Sequence, residues 1–446
     1  MTDVVIRGGT VVTEAGLQVA DLSIEGGRIA AIGPDLPGGR EEVDARGLTI
    51  FPGIIDVHLH FNEPGRTDWE GAATGSRALA AGGGTAFFDM PLNSTPCTVN
   101  ALAFDVKRIA LEAASIADFG LWGGLVPGSI PDMPEMAARG VVGFKAFMAD
   151  SGLPEFPRAD DLTLLEGMKA AARLRLPVAV HAESEELIGA LSARMTGRGA
   201  RDFLASRPVV AELDAIQRAL LFAGSTGASL HIVHVSTGRG VAMAAEARAR
   251  GVDVSIETCP HYLHFTEEDA ERLGVAAKCA PPLRSREEQH GLWRELLAGH
   301  VDVVASDHSP AAPEMKTGDF VTAWGGIAGV QSTLSVLLER GHHERGLPLE
   351  RIAALVASEP ARRFRIANKG SLRTGYDADV VLVDIAKSFT LGAADLQQRH
   401  KTSPYVGATL RGHVRRTIRR GETIHLDGVV TARTPGQLIR PAQANL

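Results

Sequence analysis

Between residues 51 and 368 the chain alternates short apolar runs with amphipathic stretches, eight times over. The runs are "GIIDVHLH", "TAFFDMP", "ADFGLWGGL", "VGFKAFM", "PVAVHAE", "SLHIVHV", "VDVSIETCP" and "VDVVASDH". Between them lie segments of helical period, such as "WEGAATGSRALAAG", "LTLLEGMKAAARLR" and "VVAELDAIQRALLFAG". "GIAGVQSTLSVLLERG" and "PLERIAALVASEPARRF" supply the last helices. Runs this apolar leave no face for water, and strands buried on both faces belong in a parallel sheet covered by helices. Eight strand–helix units predict an α/β chain closed into a (β/α)8 barrel. The flanks differ in texture. Residues 1–50 ("VVIRGGTVV", "LSIEGGRIAAIG", "EVDARGLTI") and 369–446 ("ADVVLVDI", "HVRRTIRRGETIHLDG") read as strands separated by glycine turns. The expected organisation is a barrel over 51–368 and one small β domain, largely antiparallel, built from 1–50 and 369–446.

Barrel enzymes place their chemistry at the C-terminal ends of the strands. Six polar residues fall in or near those places: His58, His60, Lys145, His181, His234 and Asp307. Such groups are rarely buried unless they are paired or bind metal. His58 and His60 are two apart, so on a strand they share a face and one metal can take both imidazoles. An isolated pair of this kind is more often structural, but here Asp56 precedes it and further ligand types follow on other strands. Lys145 lies between Phe144 and Phe147 in "GFKAFM". A snorkelling or salt-bridged lysine is the common case. The functional alternative is a desolvated amine that adds carbon dioxide, giving a carbamate whose two oxygens can bridge two metals. His181 and His234 can serve a second metal. His231, three residues before His234, faces the other side of its strand and is left out. Asp307 can bind the first metal and carry a proton from the attacking water to the leaving nitrogen, as general base and then general acid. The pattern predicts a hydrolase with two divalent ions about 3.5–4 Å apart. Histidine and carboxylate ligands accept Zn, Mn, Co or Fe.

Composition narrows the classes. A formal net charge of −7 lacks the basic footprint of a nucleic-acid surface. The longest apolar stretches are strand-length, too short to span a bilayer as helices. The N-terminus has neither a basic n-region nor an apolar h-region, so no secretory signal is read there. Only Cys97, Cys259 and Cys279 are present, which fits a reducing, cytoplasmic setting without a disulfide framework. The basic run "RGHVRRTIRRG" reads as the solvated face of a β hairpin.

Over essentially its whole length the chain resembles the cyclic amidohydrolases of the metal-dependent amidohydrolase superfamily. The resemblance is carried by "FPGIIDVHLHFNEPGRTDWEG", "DMPLNSTP", "GFKAFM", "ETCPHYL", "KCAPPLR", "ASDHSP", "WGGIAGVQ" and "YDADVVLVD". It implies a barrel beside a β-sandwich made by both chain ends, and a homo-oligomer, a tetramer. It implies two divalent ions, Zn foremost, bridged by N6-carboxylysine at Lys145. His58, His60 and Asp307 match the ligands of one ion, and His181 and His234 those of the other.

Within the family the substrate-side motifs are most similar to those of the allantoinases, which implies allantoin as the small-molecule partner. Asn62 stands where dihydroorotases carry an arginine for the substrate carboxylate, and a neutral amide cannot pair a carboxylate in that way. Asn62, Asn93 and Ser309, with the backbone around Cys279 and Ala280, are the implied substrate contacts. A turn-forming role accounts equally well for Asn93 in "PLNSTP", and Arg66 in "EPGR" reads as structural. Cys259 and His261 resemble a metal or nucleophile pair, but the family uses that segment to shape the pocket. Hydantoinase or dihydropyrimidinase, dihydroorotase, and a non-catalytic scaffold relative remain as alternatives. The last typically loses metal ligands, and none is missing here.

Overall fold

A computed structural model describes residues 2–442, so the last four residues of the C-terminal segment lie outside the described part. Eight barrel strands follow in chain order: Ile54–Leu59, Gly84–Asp89, Asp118–Gly124 (interrupted at Trp122), Phe144–Phe147, Val178–His181, Leu230–Ile232, Val254–Thr258 and Val303–Val304. Each pairs in parallel with the next where the ladder is regular. A parallel bridge between Leu59 and His308 brings the last unit back to the first. Helices on the outside are started by local side-chain caps. Asn100 accepts from Ala103 N, Asp160 from Thr163 N, and Thr237 from Gly240 N. Such caps satisfy backbone donors that a helix start leaves free.

Alternation along the strands decides which residues reach the lumen. Val178 and Val180, Leu230 and Ile232, and Val254 and Ile256 pack outward in the large barrel–helix cluster. Their neighbours Ala179, His231 and Ser255 therefore point inward. Lys145, Ala179, His231 and Ser255 lie in register across four consecutive strands, so all four side chains line the barrel interior. Below the strand ends Trp122, Phe88 and Phe364 fill the lumen in edge-to-face contacts. The barrel is a packed core with polar groups admitted only at particular positions.

The two chain ends build one sheet of nine strands. Thr49–Pro52, from the N-terminal segment, pairs antiparallel with Val380–Thr390, from the C-terminal one. Most ladders are antiparallel, but Val4–Thr13 also takes two parallel neighbours, Glu41–Asp44 and Thr49–Pro52. Alternation again separates two faces. Ile50, Val380 and Leu382 join the domain's own apolar cluster, while Phe51, Val381 and Val383 pack against the barrel. The basic run is indeed a hairpin strand, Thr409–Arg419, yet it is not uniformly solvated. Arg419 is 1% exposed and donates to Ile116 O, and Arg415, Arg416 and Arg420 pair with Asp427, Glu41 and Asp118. Arg419 and Arg420 bond to the barrel, at Ile116 O and Asp118, while Arg415 and Arg416 pair within the sheet nearer the surface.

Candidate metal centre

The strand ends converge on a cavity of about 370 Å³ whose floor carries His58, His60, His181, His234 and Asp307. His58 is the fifth residue of the first strand and His60 follows its end. One oxygen of Asp307 lies 3.3 Å from His58 Nε2 and 3.5 Å from His60 Nε2. The ligand atoms of these three residues all fall within 4.8 Å of one another, close enough to hold one cation. Burial alone would raise the Asp307 carboxyl, but His58 and His60 hold it well below the usual carboxylate range. It is an anion built for a cation.

The second pair sits beside the first, with the His58 and His234 rings 5.4 Å apart. His181 Nδ1 and His234 Nε2 approach to 3.0 Å. The other His181 nitrogen, Nε2, is 2.8 Å from Glu183, so Nδ1 is the atom free for a cation. His58 has the opposite arrangement. Its Nδ1 is 2.7 Å from Glu257, which leaves Nε2 to face Asp307. Burial keeps the His60, His181 and His234 imidazoles below their ordinary range, in the neutral form that ligates metal.

Lys145 completes the set. Its side chain is fully buried, and Nζ has no hydrogen-bond partner among the described residues. Nζ stands 5.1 Å from the Phe147 ring, which stacks on His181. Desolvation pushes its pKa down to about 8, so an appreciable fraction is neutral amine near neutral pH. The unpartnered amine acts electrostatically on His60, His181 and His234, and no group among the described residues satisfies it. The donor set fits divalent metal: neutral nitrogens, a carboxylate and a reactive amine, with few competing partners.

Glu183 and Glu257 escape the sequence reading, Asp56 stands in it without a partner, and His231, expected on the other face of its strand, points into the lumen. Glu257 joins His58 to His231, whose Nε2 is 3.0 Å away, and accepts from His234 N at 3.0 Å. His231 is thus a lumen group behind the candidate ligands. Asp56 accepts from the backbone of His58 and Ser306, tying the first strand to the last. Glu183 follows its strand in "VHAE" and Glu257 lies near the end of its strand in "IETCP", and that placement was the available signal. His261 comes within 4.8 Å of Asp307 together with Cys259, and neither ring nitrogen has a partner. Burial pushes the Cys259 thiol well up, which leaves it a poor nucleophile.

Of the substrate-side candidates, Asn93, Cys279, Ala280 and Ser309 line the cavity. Asn62 does not; its amide is buried and donates to Pro310 O at 3.1 Å, so it holds the loop after Ser309. Arg66 pairs with Glu155 and lies over Trp69, a structural use. A wider hollow of about 500 Å³ lies between the sheet and the barrel, lined by Lys387, His413 and Asp427 among others, away from these groups.

Comparison with known proteins agrees with this geometry. Residues 49–424 match the model of the amidohydrolase family. A protein named allantoinase from Solibacter usitatus is 64% identical over 445 residues, 99% of this chain and 97% of the relative. Another so named, from Deinococcus radiodurans, is 54% identical over 98% of this chain and 99% of the relative. Among solved structures, an L-hydantoinase (dihydropyrimidinase) from Arthrobacter aurescens superposes with a TM-score of 0.96 at 33% identity, covering 99% of this chain and 100% of that one. A dihydropyrimidinase from Brevibacillus agri gives 0.92 at 28% identity, covering 100% of each chain. With the barrel, the donor set and these relatives in agreement, the chain belongs to the amidohydrolase family.

Proposed function

We propose that the chain hydrolyses the ring amide of allantoin to allantoate. The observation that carries the chemistry is the convergence of two histidine pairs and Asp307 on one cavity floor, with the buried, unpartnered Lys145 amine close enough to act electrostatically on His60, His181 and His234. The choice of substrate is supported by relatives named allantoinase, at 64% and 54% identity over nearly the whole chain. The named hydantoinase structure resembles the fold closely but shares only 33% of residues.

In this reading His58, His60 and Asp307 would hold one divalent ion, and His181 Nδ1 and His234 Nε2 a second. Lys145 would join them as a carbamate, formed when its neutral amine adds carbon dioxide and loses a proton. Zn is the first expectation, with Mn, Co or Fe compatible. Bound ions of this kind supply an acidified water and polarise the substrate carbonyl. The chain's own residues do the rest. Asp307 takes the proton of the attacking water and returns it to the ring nitrogen as the C–N bond breaks. Glu257 and Glu183 fix the tautomers of His58 and His181, so the donor atoms do not rotate away. Asn93, Ser309 and the backbone at Cys279 and Ala280 orient the ring from the cavity wall. Three free, buried cysteines support a cytoplasmic setting, and the family resemblance supports a homo-oligomer. Among the described residues, no helix is long and apolar enough to cross a membrane.

The test is kcat/KM for metal-loaded enzyme on allantoin, hydantoin, dihydrouracil and dihydroorotate. Allantoin should be turned over best. Preference for unsubstituted hydantoin would move the reading to hydantoinase, and preference for dihydroorotate would refute it. Neither outcome would touch the metal centre.

A further inference from the structure

The cavity wall carries an ammonium that the hydrolytic chemistry leaves unused. Lys278 immediately precedes the Cys279–Ala280 backbone and lines the same cavity. It is 8% exposed. An ammonium offers three donors, and the one bond recorded for Nζ goes to Ala323 O. Among the described residues no carboxylate lies within ion-pair range of it, and the acidic residue it feels most is Asp319, at longer range. The neighbouring cation is committed elsewhere: Arg207 is paired with Glu183. Phe203 fixes the geometry of this wall, with Lys278 Nζ 5.1 Å and Arg207 Cζ 5.4 Å from its ring centre. The backbone is held too, since Lys278 O accepts from Gly326 N at 2.8 Å. A nearly buried ammonium with spare donors is costly unless an electron-rich group meets it.

The substrate supplies one. Allantoin differs from hydantoin by a ureido arm, whose carbonyl oxygen is a strong neutral acceptor. We propose that Lys278 donates to the ureido carbonyl and is the residue that separates allantoin from unsubstituted hydantoins. The inference rests on the allantoin reading given above. A site built to hydrogen-bond a group discriminates against analogues without it, because the site's own polar group is then left unmet.

The experiment compares kcat/KM on allantoin and on hydantoin for the unmodified holoenzyme, Lys278→Met and Lys278→Arg. For Lys278→Met the allantoin-to-hydantoin ratio should fall by about 10–100-fold, the scale of a lost hydrogen bond to a charged group. Lys278→Arg keeps a charged donor and should retain most of the ratio. A purely structural role, tying the 318–326 loop through Ala323 O, would lower both substrates alike and leave the ratio unmoved. That result, or an intact ratio in the methionine variant, overturns the proposal. Should Lys278→Met fail to fold, Lys278→Leu, which likewise lacks a donor, replaces it, with the same fall in ratio expected and the same overturning result. Failure of the underlying reading shows separately, as poor allantoin turnover by the unmodified enzyme.

Discussion

At the scale of single residues, chemistry is visible as unmet need. Lys145 Nζ and His234 Nδ1 are buried nitrogens with no partner among the described residues, as are both ring nitrogens of His261 nearby, and buried polar groups in folded proteins are usually bonded. Lys145→Ala removes the amine that would join the two clusters. It should retain less than the full complement of metal after dialysis and lose nearly all turnover. Short carboxylic acids added to this variant should restore part of the activity by taking the place of the carbamate. Full metal content with normal turnover would end the bridging role. The identity and strand position of Lys145 were legible from "GFKAFM". The orphaned state of its Nζ was not, since that depends on what seven other strands bring near it.

At the scale of elements, the strand ends are bent to aim their side chains. His234 and Asp307 have φ of 41° and 44°, a left-handed conformation that costs energy for non-glycine residues. Both lie beyond the hydrogen-bonded part of their strands, which end at Ile232 and Val304. The sequence runs "LHIVHV" and "VDVVASDH" read as longer strands because apolar pattern does not report where a ladder stops. Helix packing locks the other side. Gly75, in the helix Ala72–Ala81, lets Phe61 seat against the helix; a Cβ there would meet the Phe61 ring at 2.3 Å. Phe61 follows His60 directly. Gly75→Ala should therefore destabilise the fold by about 1–3 kcal/mol, the usual cost of overpacking, and weaken metal retention through His60. Urea unfolding and metal content after dialysis read the two effects. Unchanged values for both would show that Phe61 moves aside without disturbing the ligand.

At the scale of the molecule, a buried charge cluster joins the terminal sheet to the barrel. Lys369 Nζ lies 2.7 Å from Asp379, 2.9 Å from Asp118 and 3.1 Å from Asp377. Burial would lower its pKa, but the three carboxylates raise it above the ordinary lysine range. Asp118 belongs to the third barrel strand, and Asp379 precedes the long strand Val380–Thr390 of the sheet. Lys369→Met leaves carboxylates buried without their shared cation. It should cost about 3–5 kcal/mol, as breaking one partner of a buried ion pair does, with a lower Tm and urea midpoint. A loss below 1 kcal/mol, roughly the worth of an exposed pair, would show that water reaches the cluster. By itself the sequence determined the eightfold strand–helix alternation, the union of both chain ends in a β domain, and the residue types at the strand ends. These follow from local periodicity and from a resemblance carried by contiguous motifs. Only the tertiary structure decided that Asn62 serves a loop rather than the cavity, that Glu183 and Glu257 fix opposite histidine tautomers, and that Lys278 faces the cavity with donors to spare. Apart from the His181–Glu183 contact, which spans two residues, those facts depend on partners dozens to hundreds of residues away, and the pattern along a strand carries no record of them.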